Sequence, residues 1–144
     1  MKIEEQVLSI EQMKHLQELC VDTSDASMAY YNISRDNQPD KWILGIANIK
    51  VASVMLSNGI TEMEPAYTTG DLIEKLPKTI GIYHLMIDWN LMQIEYTNWS
   101  WQESVFRECF TLNDKPLINT LYDCLCWVAE NHKELLEVKK SVAP

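Results

Sequence analysis

Residues 113–140 hold the longest periodic segment of the chain. At about 100° per residue, Leu117, Ile118, Leu121, Leu125, Val128 and Ala129 fall on one face, and Leu135 and Leu136 continue it. Asn119, Asp123, Glu130, Glu134 and Glu137 fall opposite. The pattern predicts an amphipathic helix of about six turns, and such a helix cannot stand alone: its apolar stripe has to be covered by a sheet or by other helices. Trp127 departs from the pattern, pointing away from the stripe.

The rest of the chain supplies the cover. Ser9-Ile10-Glu11-Gln12 has the form of a capping box, and Leu8 with Met13 that of a hydrophobic staple, so a first helix is expected over residues 10–20. Residues 27–34 are rich in strand formers, a polar turn follows at 35–40, and residues 41–47 resume with Trp42, Ile43, Leu44 and Ile46, giving a hairpin. Residues 48–56 fit a strand or a helical turn, and Ser57-Asn58-Gly59 closes them. Residues 60–66 form an edge strand, because Pro65 excludes a central one.

Thr68 as N-cap with Asp71 three residues on predicts a short helix over 69–76, stopped by Pro77. Residues 80–89 form the strongest strand, with Asn90-Leu91 as a tight turn into residues 92–97. There Met92, Ile94 and Tyr96 face in, and Gln93, Glu95 and Thr97 face out. Trp99-Ser100-Trp101 interrupts, a last strand covers 104–112, and Asp114 with Pro116 opens the long helix. Strands occur in runs rather than alternating with helices. The expected fold is therefore α+β, with an antiparallel sheet of about five strands packed by N- and C-terminal helices and a short middle helix.

A chain of 144 residues fits one domain, residues 1–144. Its hydrophobic fraction of 47% is enough for a core, and no apolar run reaches the 18 or so residues that span a membrane. The charged N-terminus lacks the apolar stretch of a signal peptide, so a cytoplasmic protein without membrane contact is expected, with Cys20, Cys109, Cys124 and Cys126 as reduced thiols. The net charge of −9 argues against nucleic acid as a partner, because that affinity rests on neutralising phosphates. A charge this negative also admits a second role, an acidic inhibitor imitating nucleic-acid charge.

No catalytic, cofactor or metal motif stands out. Cys124 and Cys126, two apart on a helix, point about 200° from each other and cannot readily clamp one metal. His84 and His132, set among apolar residues, read with His15 as buried, hydrogen-bonded histidines. A small enzyme using a Cys–His pair is a further alternative, since such partners meet in space rather than in sequence. Glu62 and Glu64 near Asp71 and Glu74 read as a solvated acidic face. The aromatics carry the strongest functional signal. Trp99, Trp101, Trp127 and the adjacent Cys126 are the candidate partner surface, because tryptophan is enriched at interface hot spots and costly to leave in water. The expected function is non-catalytic binding of a protein partner or of a second copy of the chain, with no cofactor.

Three stretches, Val21-Asp22-Thr23-Ser24-Asp25-Ala26-Ser27-Met28, residues 67–78, and residues 121–132 with their Cys124-Leu125-Cys126-Trp127 centre, resemble a group of small uncharacterised proteins of bacterial prophages and other mobile elements. The group brings no activity, cofactor or site residue with it. What the resemblance implies is a setting: a small cytoplasmic accessory protein of a mobile element.

Overall fold

The computed structural model describes residues 3–34, 38–47 and 62–137. The expectations for residues 48–61, for the first part of the polar turn at 35–37 and for the last three residues of the long helix lie outside the described residues.

A single 3-10 turn at Ile3–Glu5 leads into helix α1, Ile10–Glu18. The capping box is formed as expected: the Gln12 amide donates to Ser9 Oγ at 3.1 Å, and the Ser9 amide donates to Gln12 Oε1 at 2.9 Å. Strands β1 (Met28–Asn32), β2 (Trp42–Ile46) and β3 (Glu62–Ala66) make a three-stranded antiparallel sheet in the order β2-β1-β3. Pro65 lies on an edge, opposite Ala29. The Ile33 amide donates to Lys41 O and the Ala47 amide to Ser27 O, so odd-numbered residues of β1 hydrogen-bond toward β2 and even-numbered ones toward β3. Pro65 therefore sits in a non-hydrogen-bonded pair, where its missing N–H takes nothing from the ladder.

Helix α2, Thr69–Lys75, carries the second capping box. Asp71 Oδ2 accepts the Thr68 amide at 3.0 Å, and also the amide and hydroxyl of Ser27 at 3.0 and 2.7 Å, so one carboxylate both starts α2 and ties it to the entry of β1. Strands β4 (Thr79–Ile80), β5 (Tyr83–Asp88), β6 (Gln93–Asn98) and β7 (Glu103–Cys109) form a second antiparallel sheet in sequence order, and helix α3, Leu117–Asn131, packs against β6 and β7. A 3-10 turn at Lys133–Leu135 follows. The α+β class holds, with two sheets in place of one sheet of about five strands. One buried cluster joins Leu8, Met13 and Leu16 to Leu72, Ile94, Tyr96 and the α3 residues Leu121, Leu125 and Val128. None of the helices among the described residues is long and apolar enough to cross a membrane.

Four local expectations change. The strand expected over 80–89 breaks at Gly81, whose φ of 60° starts a two-residue hairpin between Ile80 and Tyr83. The turn at Asn90-Leu91 widens to residues 89–92, with Asp88 Oδ1 accepting the amides of Asn90 and Leu91 and Met92 at a φ of 49°. On β6 the outward residues Glu95 and Thr97 are buried as well as Ile94 and Tyr96, because β6 lies between β5 and β7 and their side chains close over it. Ser104 Oγ and Arg107 Nε both donate to Glu95 Oε2 at 3.0 Å, satisfying that carboxylate. The long helix ends at Asn131: His132 leaves helical geometry with a φ of −141°, and the chain re-enters the core only at Leu136.

The histidines differ too. His15 and His84 are exposed and His132 is half-buried at the C-cap of α3. His84 fails the expectation because its strand phase, shared with Met86, lies on the face of the second sheet away from Ile94 and Tyr96.

Candidate functional site: an apolar cleft and an exposed tryptophan turn

Among the described residues a cleft of about 670 Å³ opens on the surface. Four separate parts of the chain build it. Val7 follows the first 3-10 turn, Met28 and Leu44 come from the first sheet, Thr68–Gly70 from the start of α2, and Trp89 with residues 110–112, Pro116 and Leu117 from the turns around the second sheet. Trp89 stacks edge-on against Phe110 at 5.6 Å between ring centroids, which forms one wall. The approach of α3 forms another. Thr111 Oγ1 accepts the amides of Asp114 and Lys115 at 3.0 and 2.8 Å, folding residues 111–115 into a compact loop that holds Leu112 outward on the rim. Leu112 is 80% exposed. Glu5 is the one charged residue among the described lining, with Gln6 and three threonines as the other polar groups. A cleft of this size with apolar walls and a few polar groups is suited to receive apolar groups from a ligand or partner.

The residues singled out in the sequence fall into two places. Trp99 and Trp101, 66% and 74% exposed, project from the four-residue turn between β6 and β7. The Ser100 amide donates to Asn98 Oδ1 at 3.0 Å and Gln102 takes a φ of 50°, so the turn is shaped by backbone and Asn98 without either indole. Cys126 and Trp127 lie on α3, and no ring pair among the described residues joins them to the tryptophan turn. Trp127 is half-buried: its ring lies 6.0 Å from Tyr96, 5.2 Å from Phe106 and 5.2 Å from His132. Thr120, Cys124 and Trp127 form a second row beside Leu121 and Val128, so α3 buries an arc of about 200° rather than one stripe. Thr120 and Cys124 are fully buried and Trp127 closes the row.

The thiols separate in the same way. Cys20 and Cys109 are exposed, Cys124 is buried and Cys126 is half-buried, one helical turn from Tyr122. Burial pushes the Cys126 thiol up to about 11, with the nearby Tyr122 hydroxyl opposing part of that rise, and burial raises Cys124 further. Both are protonated at neutral pH and are poor nucleophiles. Alkylation of the native protein at pH 7.5 is expected to modify Cys20 and Cys109 within minutes and to leave Cys124 and Cys126 for the unfolded chain. Mass mapping that found Cys126 modified as fast as Cys20 would refute this. The phenols of Tyr67, Tyr96 and Tyr122 are raised as well, desolvation being the first cause of each. Unfolded thiols and phenols ionise near about 8.5 and 10, so above pH 8.5 the folded chain binds protons that the unfolded chain has released. This stability is complete below that pH and is lost as pH rises toward 11 and beyond. A urea midpoint falling between pH 8 and 10.5 is the expected reading.

The acidic residues near α2 serve separate local bonds. Glu64 accepts the Gln17 amide group at 2.8 Å, Asp71 is the capping carboxylate, and Asp25 pairs with Lys75 at 2.9 Å. Among the described residues no group of three or more His, Cys, Asp and Glu side chains is arranged to hold a metal ion.

Sequence reasoning passed over the cleft. Its walls are brought together only by tertiary contact, but one signal was present: Leu112 is an apolar residue inside the polar stretch Thr111–Lys115, and Trp89 borders a turn. Comparison with protein-family models, with curated proteins and with solved structures returns no match to this chain.

Proposed function

We propose that the protein is a non-catalytic binding protein whose partner is another protein, received through apolar side chains in the cleft between the two sheets' turns. The observation that carries this reading is the cleft itself, with Leu112 and Trp89 both held exposed along its lining and Trp89 packed against Phe110. The fold gains nothing in stability from a leucine held 80% in water. The tryptophan turn adds a second apolar contact for a partner of sufficient reach. The setting we propose is the one implied by the sequence resemblance, a cytoplasmic accessory protein of a mobile element.

Affinity capture from the cells that naturally make the protein, run beside Leu112→Glu, tests the reading. Loss of one leucine contact and burial of a charge near the rim, about 2 kcal/mol together, should cut recovery of the partner about 30-fold. A photo-crosslinking residue placed at Leu112 should join the same protein covalently. Undiminished capture by Leu112→Glu with no crosslink would sink the proposal.

A further inference from the structure

The two sheets present four edge strands, and three of them carry devices that discourage pairing with another chain. Strand β3 has Glu62, Glu64 and Pro65. Strand β7 has Glu103, Arg107 and Glu108, and a register irregularity that leaves Val105 unpaired opposite Tyr96 and Thr97. Strand β4 is two residues long. Strand β2, Trp-Ile-Leu-Gly-Ile, has no charge, no proline and no bulge, and among the described residues no strand pairs with its outer edge. Ile46 is 64% exposed and Ile43 37%.

The ladder shows what this edge offers. Lys41 and Ala47 hydrogen-bond toward β1, so Ile43 and Gly45 do the same and the N–H and C=O groups of Trp42, Leu44 and Ile46 point outward. One of these is already used: the Tyr31 hydroxyl donates to Ile46 O at 2.6 Å, leaving that oxygen its second lone pair. The Tyr31 ring passes over Gly45, where an added Cβ would come within 3.1 Å of it, so glycine here leaves room for the ring.

We infer that β2 is a self-association edge, on which a second copy of this chain adds its own β2 antiparallel to form a continuous six-stranded sheet. With Leu44 at the two-fold axis, Leu44 meets Leu44 of the other copy and Trp42 meets Ile46. Every outward backbone group then falls in a hydrogen-bonded pair, and an aromatic side chain lies opposite a β-branched one. Charge selects a second copy here rather than at the other edges. Each copy carries a net charge of −9, and pairing through β3 or β7 would bring Glu62 and Glu64, or Glu103 and Glu108, against their equals. Strand β2 is where two acidic copies meet without carboxylates between them. Five-residue strands bury less than the roughly 800 Å² per partner of a stable interface, so the dimer is concentration-dependent rather than obligate. Among the described residues no strand uses the outer edge of β2, and of this strand only Leu44 lines the cleft, so pairing here and binding in the cleft are read separately.

Sedimentation equilibrium between about 10 µM and 1 mM tests it, together with amide exchange. The mass should climb from 16.7 kDa toward twice that value, and the amides of Trp42, Leu44 and Ile46 should gain protection over the same range. Ile46→Pro removes an N–H that the intramolecular ladder does not use, and Ile43→Lys places a charge on an exposed side chain. Each should weaken association at least tenfold with the circular dichroism of wild type. A wild-type mass fixed at that of one chain, or a dimer left intact by both variants with those amides unprotected, overturns the inference.

Discussion

Replacing Met13 by alanine is expected to lower stability by about 4 kcal/mol, a large share of what holds a domain of this size together. Two losses add. The side chain is fully buried in the cluster shared by α1, α2 and α3, and its removal leaves a cavity that the capped helices cannot collapse around. Its sulfur also accepts the Tyr67 amide at 3.3 Å, and with both residues wholly buried no water can replace that acceptor. Met13→Leu separates the two: volume is kept, the acceptor is lost, and a cost of about 1 kcal/mol is expected. Urea unfolding of the pair decides the matter. Equal costs for the two variants would show that the cavity contributes nothing, and a cost-free Met13→Leu that the sulfur is no acceptor.

Trp127→Ala is expected to cost about 3 kcal/mol, at the lower end for an aromatic truncation because the ring is only half-buried. The loss falls on the α3–sheet contact, where the indole lies near the rings of Tyr96 and Phe106, with His132 also close at the end of the helix. Partner capture through the cleft should be unchanged once the variant is corrected for its folded fraction. A cost below about 1 kcal/mol with loss of capture would return Trp127 to the partner surface, where the sequence had placed it with Trp99, Trp101 and Cys126.

The sequence was most legible where structure is decided within a few residues. Both capping boxes, Ser9 with Gln12 and Thr68 with Asp71, form as expected, because the partners lie three apart and need only one turn of backbone to meet. The edge position of Pro65 was legible for the same reason, since a missing N–H is a local fact. Gly81 was misread for lack of a local rule that distinguishes a glycine inside a strand from one that turns it.

The α+β class, the amphipathic core of α3 and the apolar stripe of Leu121, Leu125 and Val128 are thus written in the residues alone, as periodicity and capping chemistry. The tertiary structure alone decided the rest. It divided the strands into two sheets and buried Glu95 and Thr97 by placing β6 between two neighbours. It widened the buried arc of α3 to include Trp127, and assembled a cleft from residues as far apart as Val7 and Leu117. Each of these depends on which distant segment covers a side chain. A one-dimensional pattern encodes which residues avoid water, but not what they meet when they leave it.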